Sequence, residues 1–306
     1  MGKPKQYINK ASINNLLLEY YVITEKIGSG SFGEVYLAED KKGRLYALKI
    51  EDKHTHKTKL EKEYRIYKEL KDQHIDNVPK LYRYMKTDDY NILVMELLGP
   101  SLEELLNIYE KKLNLYSVLN IGYYIIDGIK LFHNAGYIHR DIKPNNFLIG
   151  RKDKADTIFI MDFGLSKKYI TNGTHIPEGK IKSLIGTPRY ASINVHDGIE
   201  PTRRDDLESI GYMLIYLLKG SLPWQGIKKT KKQTMYQLIG EKKKSTSLEE
   251  LTSKLPSCFF NYLNYVKQLA YDEEPDYEYL KKLFLDCLPK SNNYTKYIWL
   301  NNSTIQ

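Results

Sequence analysis

Three short runs early in the chain, at residues 21–27, 34–38 and 44–50, are rich in apolar, β-branched and aromatic residues set among a few polar ones. Such β-rich runs predict strands, and the glycines from Gly28 to Gly33 and the stretch from Lys41 to Gly43 mark the turns. Residues 57–71 place Leu60, Tyr64 and Tyr67 at helical spacing among charges, which predicts a helix with one apolar stripe. A continuous apolar strand follows at 92–97, and Gly99-Pro100 then breaks the pattern. Beyond that hinge the period becomes 3.6. Val118, Ile121, Ile125, Ile129 and Phe132 line a long amphipathic helix headed by Ser117, and residues 207–218 form an apolar helix stopped by Gly220 and Pro223. The last residues, 294–306, are polar and are expected to fray. The pattern predicts an α+β chain. Residues 1–19 are an N-terminal extension, 20–98 a small, mainly antiparallel β lobe with one helix, 99–293 a larger, mainly helical lobe, and 294–306 a short tail.

Charge changes this picture only slightly. The 306 residues carry 47 basic and 38 acidic side chains, a net +9 that favours an acidic partner without choosing among nucleic acid, an anionic membrane and acidic protein. No interleaving of aromatic and basic residues of an RNA-binding type is present, so no specific nucleic acid is expected. The basic runs at 228–232 and 242–244 read as solvated faces. Cys258 and Cys287 lie far apart with no metal-type spacing, which argues against a disulfide scaffold and a zinc site and suits the cytoplasm or nucleus. The longest apolar stretch, 211–218, is too short to span a bilayer, and no membrane insertion is expected.

The chemistry resides in short motifs. Ile27-Gly28-Ser29-Gly30-Ser31-Phe32-Gly33-Glu34-Val35 sits between two predicted strands, where glycines let backbone N–H groups approach phosphates. A dinucleotide site would need a helix directly after the glycines. A strand follows instead, which predicts a hairpin covering ATP with Val35 against the adenine. Lys49 on the next strand is placed to hold the α- and β-phosphates. Its ammonium needs an anionic partner, and the apolar pattern favours Glu63 over Glu61. Met95 and the following Glu96 and Leu98 form a hinge whose backbone would pair with adenine. In His139-Arg140-Asp141-Ile142-Lys143-Pro144-Asn145-Asn146, Asp141 can orient the acceptor hydroxyl or take its proton. Lys143 can neutralise the transferring phosphoryl group, and Asn146 and Asp162 offer oxygens to Mg²⁺. Lys143, two residues past Asp141, is the serine/threonine kinase pattern. These motifs in this order predict a protein kinase fold.

The segments that kinases generally vary carry a closer resemblance. Residues 96–104 (Glu-Leu-Leu-Gly-Pro-Ser-Leu-Glu-Glu), 186–194 (Gly-Thr-Pro-Arg-Tyr-Ala-Ser-Ile-Asn), 203–209 and 220–226 resemble the casein kinase I family, over about residues 20–288. The resemblance implies a bilobal, monomeric, constitutively active serine/threonine kinase that uses Mg-ATP and favours acidic or phosphorylated protein substrates. It implies that Arg140, Lys167 and Lys182 form an anion pocket. Arg189 and Gly226 would form another, with a family lysine replaced here by Met235. Asp206 resembles the kinase aspartate that hydrogen-bonds the catalytic-loop backbone. Independently, residues 165–189 hold Lys167, Lys168, Lys180, Lys182 and Arg189 against one acid, Glu178, a cluster that attracts acidic chains.

Overall fold

The structure, a computed structural model, describes residues 20–30, 33–54, 58–228, 233–289 and 295–302. Leu48 and Ile50 point to one face of their strand and Ala47 and Lys49 to the other, and this alternation organises the first part of the chain. Strands β1 (Tyr21–Gly30), β2 (Gly33–Asp40) and β3 (Leu45–Asp52) are followed by helix α1 (Leu60–Asp72), β4 (Leu81–Lys86) and β5 (Tyr90–Glu96). The five strands form one antiparallel sheet in the order β1-β2-β3-β5-β4. Tyr36, Ala38, Tyr46, Leu48, Ile50, Tyr90, Ile92 and Val94 make the core on one face. Each larger aliphatic side chain there contributes about 1.5–3 kcal/mol by leaving water.

Helix α1 has no side chain of its own capping its start. The buried Glu51 carboxylate of β3 accepts instead from Leu60 N (3.1 Å), Lys59 N and the Asn91 amide. An anion at a helix N-terminus satisfies orphan donors and suits the dipole. Glu51 thereby fixes which way the buried stripe of Leu60, Glu63, Ile66, Tyr67 and Leu70 faces.

The chain divides into two compact units, Met1–Leu98 and Gly99–Gln306. The second is built on helices α2 (Leu102–Ile108), α3 (Leu115–Asn134), α4 (Ile193–His196), α5 (Arg203–Lys219), α6 (Met235–Ser245), α7 (Leu248–Thr252), α8 (Ser257–Gln268) and α9 (Tyr277–Asp286). Helix α3 packs against α5 and α9. Gly122 permits the approach, because a Cβ there would lie 3.1 Å from Leu214 and 3.2 Å from Phe284. Short strand pairs carry the loops: β6 (Tyr137–Ile138) with β9 (Lys167–Lys168), and β7 (Phe147–Ile149) with β8 (Ile158–Ile160). Among the described residues no helix is long and apolar enough to cross a membrane.

Three sequence expectations need correction. Helix α3 is headed by Asn114, whose Oδ1 accepts from Ser117 N at 2.8 Å; Ser117 is buried inside the first turn and receives Ile298 N. Residues 295–302 do not fray, since Tyr297 and Trp299 are fully buried and stacked, and the indole donates to Ala155 O at 3.0 Å. Lys243 is not part of a solvated face but is 2% exposed. Cys258 and Cys287, far apart in sequence, are free thiols that the fold brings together. Burial raises the Cys258 thiol's pKa, and its hydrogen bond with Cys287 adds to that.

Candidate active site

In the first unit, Lys49 Nζ lies 2.7 Å from Glu63 Oε2, with the carboxylate 1% and the lysine 12% exposed. Glu63 falls on the buried stripe of α1, where an unpaired carboxylate would be costly, so an ion pair there is the expected arrangement. Glu61, on the exposed side, pairs with Arg65 and Lys86 instead. The hairpin ahead of Lys49 pairs Gly28 with Val35, Ser29 with Glu34 and Gly30 with Gly33; Ser31 and Phe32 lie outside the described residues. Gly33 has φ +148°, and a Cβ would fall 2.4 Å from Ile50 O, so the fold itself demands glycine. Gly28 differs. Among the described residues a Cβ there would meet only Val35, at an ordinary 3.6 Å. Ile27 is exposed, Val35 half-buried, and Glu34 is held by Lys26 and the Tyr36 hydroxyl. Met95 is buried in β5, Glu96 ends the strand with its N–H on Lys80 O, and Leu98 closes the unit.

In the second unit the loop of residues 139–146 is held from below. The Asp206 carboxylate, fully buried at the start of α5, accepts His139 N at 2.6 Å, Arg140 N at 2.8 Å and His133 Nε2 at 3.0 Å. Burial disfavours its ionised form, but hydrogen bonds and the nearby histidines outweigh this and hold its pKa below the usual range. Burial in turn lowers the pKa of His133. The loop backbone turns at Arg140, whose φ is +67°. His139 Nδ1 accepts from Asp141 N at 3.3 Å, so its Nε2 carries the proton that reaches Met161 O at 3.0 Å. One imidazole thus ties the loop to the residue before Asp162.

Asp141 is 7% exposed and receives Thr187 Oγ1 at 2.7 Å and Lys143 Nζ at 2.5 Å. Asn146 Nδ2 donates to Asp141 O at 2.8 Å, which fixes the amide and leaves its oxygen as the acceptor end. Asp162 takes a left-handed φ of +65°, and the next residue, Phe163, is fully buried and stacked on Phe132 at 4.9 Å. A non-glycine residue held in that conformation by packing is a strained position of the kind found at ligand sites. Asn146 and Asp162 supply one amide and one carboxylate oxygen. Such hard donors fit a divalent cation that takes its remaining ligands from phosphates and water. Among the described residues no cluster of three or more His, Cys, Asp or Glu could hold a metal ion.

Residues 186–192 form the neighbouring wall. Gly186 has φ +85°, and a Cβ would fall 2.4 Å from Arg140 O, so the segment presses directly on the loop. Lys243 fixes it from behind, donating to Pro188 O at 2.9 Å and to Ala191 O, with the ammonium over the Tyr212 and Trp224 rings. Burial pushes its pKa down to about 7, while Glu208 opposes the shift. The Trp224 indole donates to Arg189 O at 2.7 Å, and Ser192 Oγ donates to Asp205 at 2.6 Å. The Arg189 guanidinium lies over the Tyr216 and Tyr190 rings at 5.2 and 5.7 Å. Gly226 has φ +72° with no described residue within 4 Å of where a Cβ would stand, and Met235 begins α6, half-buried. Arg140 and Lys167 converge, but on a residue the sequence did not single out: both reach Glu200 Oε1, at 3.2 and 3.0 Å. Lys182 is exposed. Thr187 lay inside a quoted motif but its bond to Asp141 was not foreseeable. Glu200 and Lys243 gave no signal, since each looks like one charged surface residue among many.

The family model described as a protein kinase domain matches residues 21–293. That span contains both the Lys49–Glu63 pair and the Asp141 loop.

Proposed function

Because this chain belongs to the protein kinase family, whose members transfer a phosphoryl group from ATP to proteins with the help of a divalent cation, we propose that it is a serine/threonine kinase of the casein kinase I type, using Mg²⁺ and favouring acidic or phosphate-bearing substrates. The observation that supports the acceptor class most directly is Lys143 bonded to Asp141 at 2.5 Å. Asp141 accepts or orients the proton of the incoming hydroxyl, with Thr187 fixing its other oxygen. Lys143 places positive charge beside that hydroxyl, where charge develops on the transferring group. Lys49, oriented by Glu63, holds the α- and β-phosphates. Gly28, where a Cβ would meet only Val35 among the described residues, is glycine so that a phosphate can lie against the backbone. Asn146 and Asp162 would hold Mg²⁺, which when bound neutralises the phosphates.

Arg140, Lys167 and Lys182 are the cations we assign to a phosphate on the substrate, and Arg189 with Gly226 to a second, weaker acidic site lacking a lysine at Met235. Charge-assisted hydrogen bonds to a phosphate are worth about 1.5–3 kcal/mol each before solvent screening. Two peptides test this, identical except for phosphoserine three residues before the acceptor. The phosphopeptide is expected to have about tenfold higher kcat/KM, and Lys182→Glu to erase the difference while sparing the unphosphorylated peptide. Equal slowing of both peptides by Lys182→Glu would show that the residue is structural and overturn the assignment.

A further inference from the structure

Two cations from separate segments share one carboxylate oxygen. Arg140 comes from the catalytic loop and Lys167 from β9, and both reach Glu200 Oε1. The Arg140 and Glu200 side chains are 13% and 16% exposed, so the pair lies largely out of water, whereas Lys167 is 40% exposed. Glu200 is not a free-swinging loop residue. Its N–H donates to Gly179 O at 2.8 Å, and one step earlier Ile181 N donates to Gly198 O at 2.8 Å, with a bridge between Lys180 and Ile199. The carboxylate is delivered by a short ladder onto the segment that runs toward Thr187.

Arg140 is equally fixed. Its N–H lies on Asp206 and its Nε on Leu165 O at 2.7 Å. Burial lowers the guanidinium's pKa, and Glu200 is the first group that offsets this. Without that carboxylate the desolvated guanidinium would lose its ion pair one residue from Asp141 and keep only the Leu165 carbonyl and the charge of Asp206, a costly arrangement that the loop would relieve by shifting. One carboxylate against two cations also leaves the cluster net positive. A phosphate, with more oxygens and charge near −2, would match the two cations better.

We propose that Glu200 is an internal stand-in for a phosphate. Its carboxylate holds Arg140, and through it the catalytic loop, in the working arrangement with no phosphate on the chain, and it gives way when a substrate phosphate engages Arg140 and Lys167. Glu200 is therefore a positioning residue, and it sets how strongly a phosphorylated substrate is preferred. The second half rests on the phosphate-bearing substrate reading above; the first half does not.

The test compares Glu200→Gln and Glu200→Asp with the wild-type chain on the same peptide pair, with and without sodium sulfate, the ionic strength held constant with sodium chloride. In Glu200→Gln, kcat for the unphosphorylated peptide is expected to fall about tenfold with KM for ATP unchanged, and sulfate to restore most of it. Glu200→Asp keeps most of the rate. The phosphopeptide's KM falls several-fold in Glu200→Gln, because no carboxylate has to leave. Sulfate also raises the melting temperature of both variants more than that of wild type. A wild-type kcat in Glu200→Gln, or a loss that neither sulfate nor aspartate restores in a folded protein, would overturn the proposal. If Glu200→Gln does not fold, the aspartate variant decides: a sulfate response no larger than wild type's counts against it. If wild type shows no preference for the phosphopeptide, only the substrate reading fails, and the sulfate rescue still tests Glu200.

Discussion

Asp141→Asn is expected to lower kcat by about 10²–10⁴ while leaving ATP affinity nearly unchanged, the scale of a positioned proton acceptor. The geometry explains why so small a change is so damaging. Asp141 presents one oxygen to Thr187 and the other to Lys143. Asparagine can keep an oxygen toward Thr187, but its amide would then face the Lys143 ammonium, donor against donor. The variant would therefore lose the proton acceptor we propose and also displace Lys143, the lysine we assign to the transferring phosphoryl group. Lys49 and Glu63, in the other unit, are untouched. Single-turnover kinetics together with binding of a fluorescent ATP analogue separates the two quantities. A variant with near-normal turnover would remove Asp141 from the mechanism.

Asp206→Ala is expected to be the most destabilising change at the site, by about 3–5 kcal/mol in urea unfolding. Its carboxylate is the acceptor for two adjacent backbone N–H groups, His139 and Arg140, and for the buried His133. Alanine strands all three in a region closed to water, and each unmet buried donor costs about 1–3 kcal/mol. The catalytic loop would lose its floor, so activity should vanish even where the protein still folds. The pH dependence has a definite sign. The folded pKa of Asp206 lies below its unfolded value, so its contribution is present above the unfolded pKa, about 4, and is lost as pH falls through the folded pKa. The alanine variant should lack that part of the acid sensitivity. A loss of stability below about 1 kcal/mol would mean that the loop finds other acceptors.

How much of this was legible beforehand depended on whether a residue's role is local. β1, β2 and β3 could be read because β-rich residue types are bounded there by glycine turn signals, and β5 because it is a continuous apolar run. β4, Leu-Tyr-Arg-Tyr-Met-Lys, could not, since it is an edge strand with neither face fully buried and it mixes aromatic and basic residues without a clear period. The Gly28 hairpin and the Asp141 loop were legible because phosphate chemistry needs certain residue types at fixed spacing. Glu63 could be favoured over Glu61 from the helical stripe alone, and it is the residue that meets Lys49. Lys243 shows the opposite case. Flanked by Lys242 and Lys244 it reads as surface, and only the packing of α6 behind residues 188–191 buries the middle ammonium. Tyr297 and Trp299 were discounted for their polar neighbours, although two buried aromatic anchors suffice to dock eight residues. Glu200 had no sequence signal, because its partners lie 33 and 60 residues away and meet it only through the fold.

The most direct test of the account is transfer of label from [γ-³²P]ATP, with Mg²⁺, to a degenerate peptide library in which Ser, Thr and Tyr are offered separately as acceptor. The account predicts label on Ser and Thr peptides, enriched for acidic or phosphorylated residues upstream, and none on Tyr. Label on Tyr peptides, or ATP binding without transfer to any peptide, would contradict it.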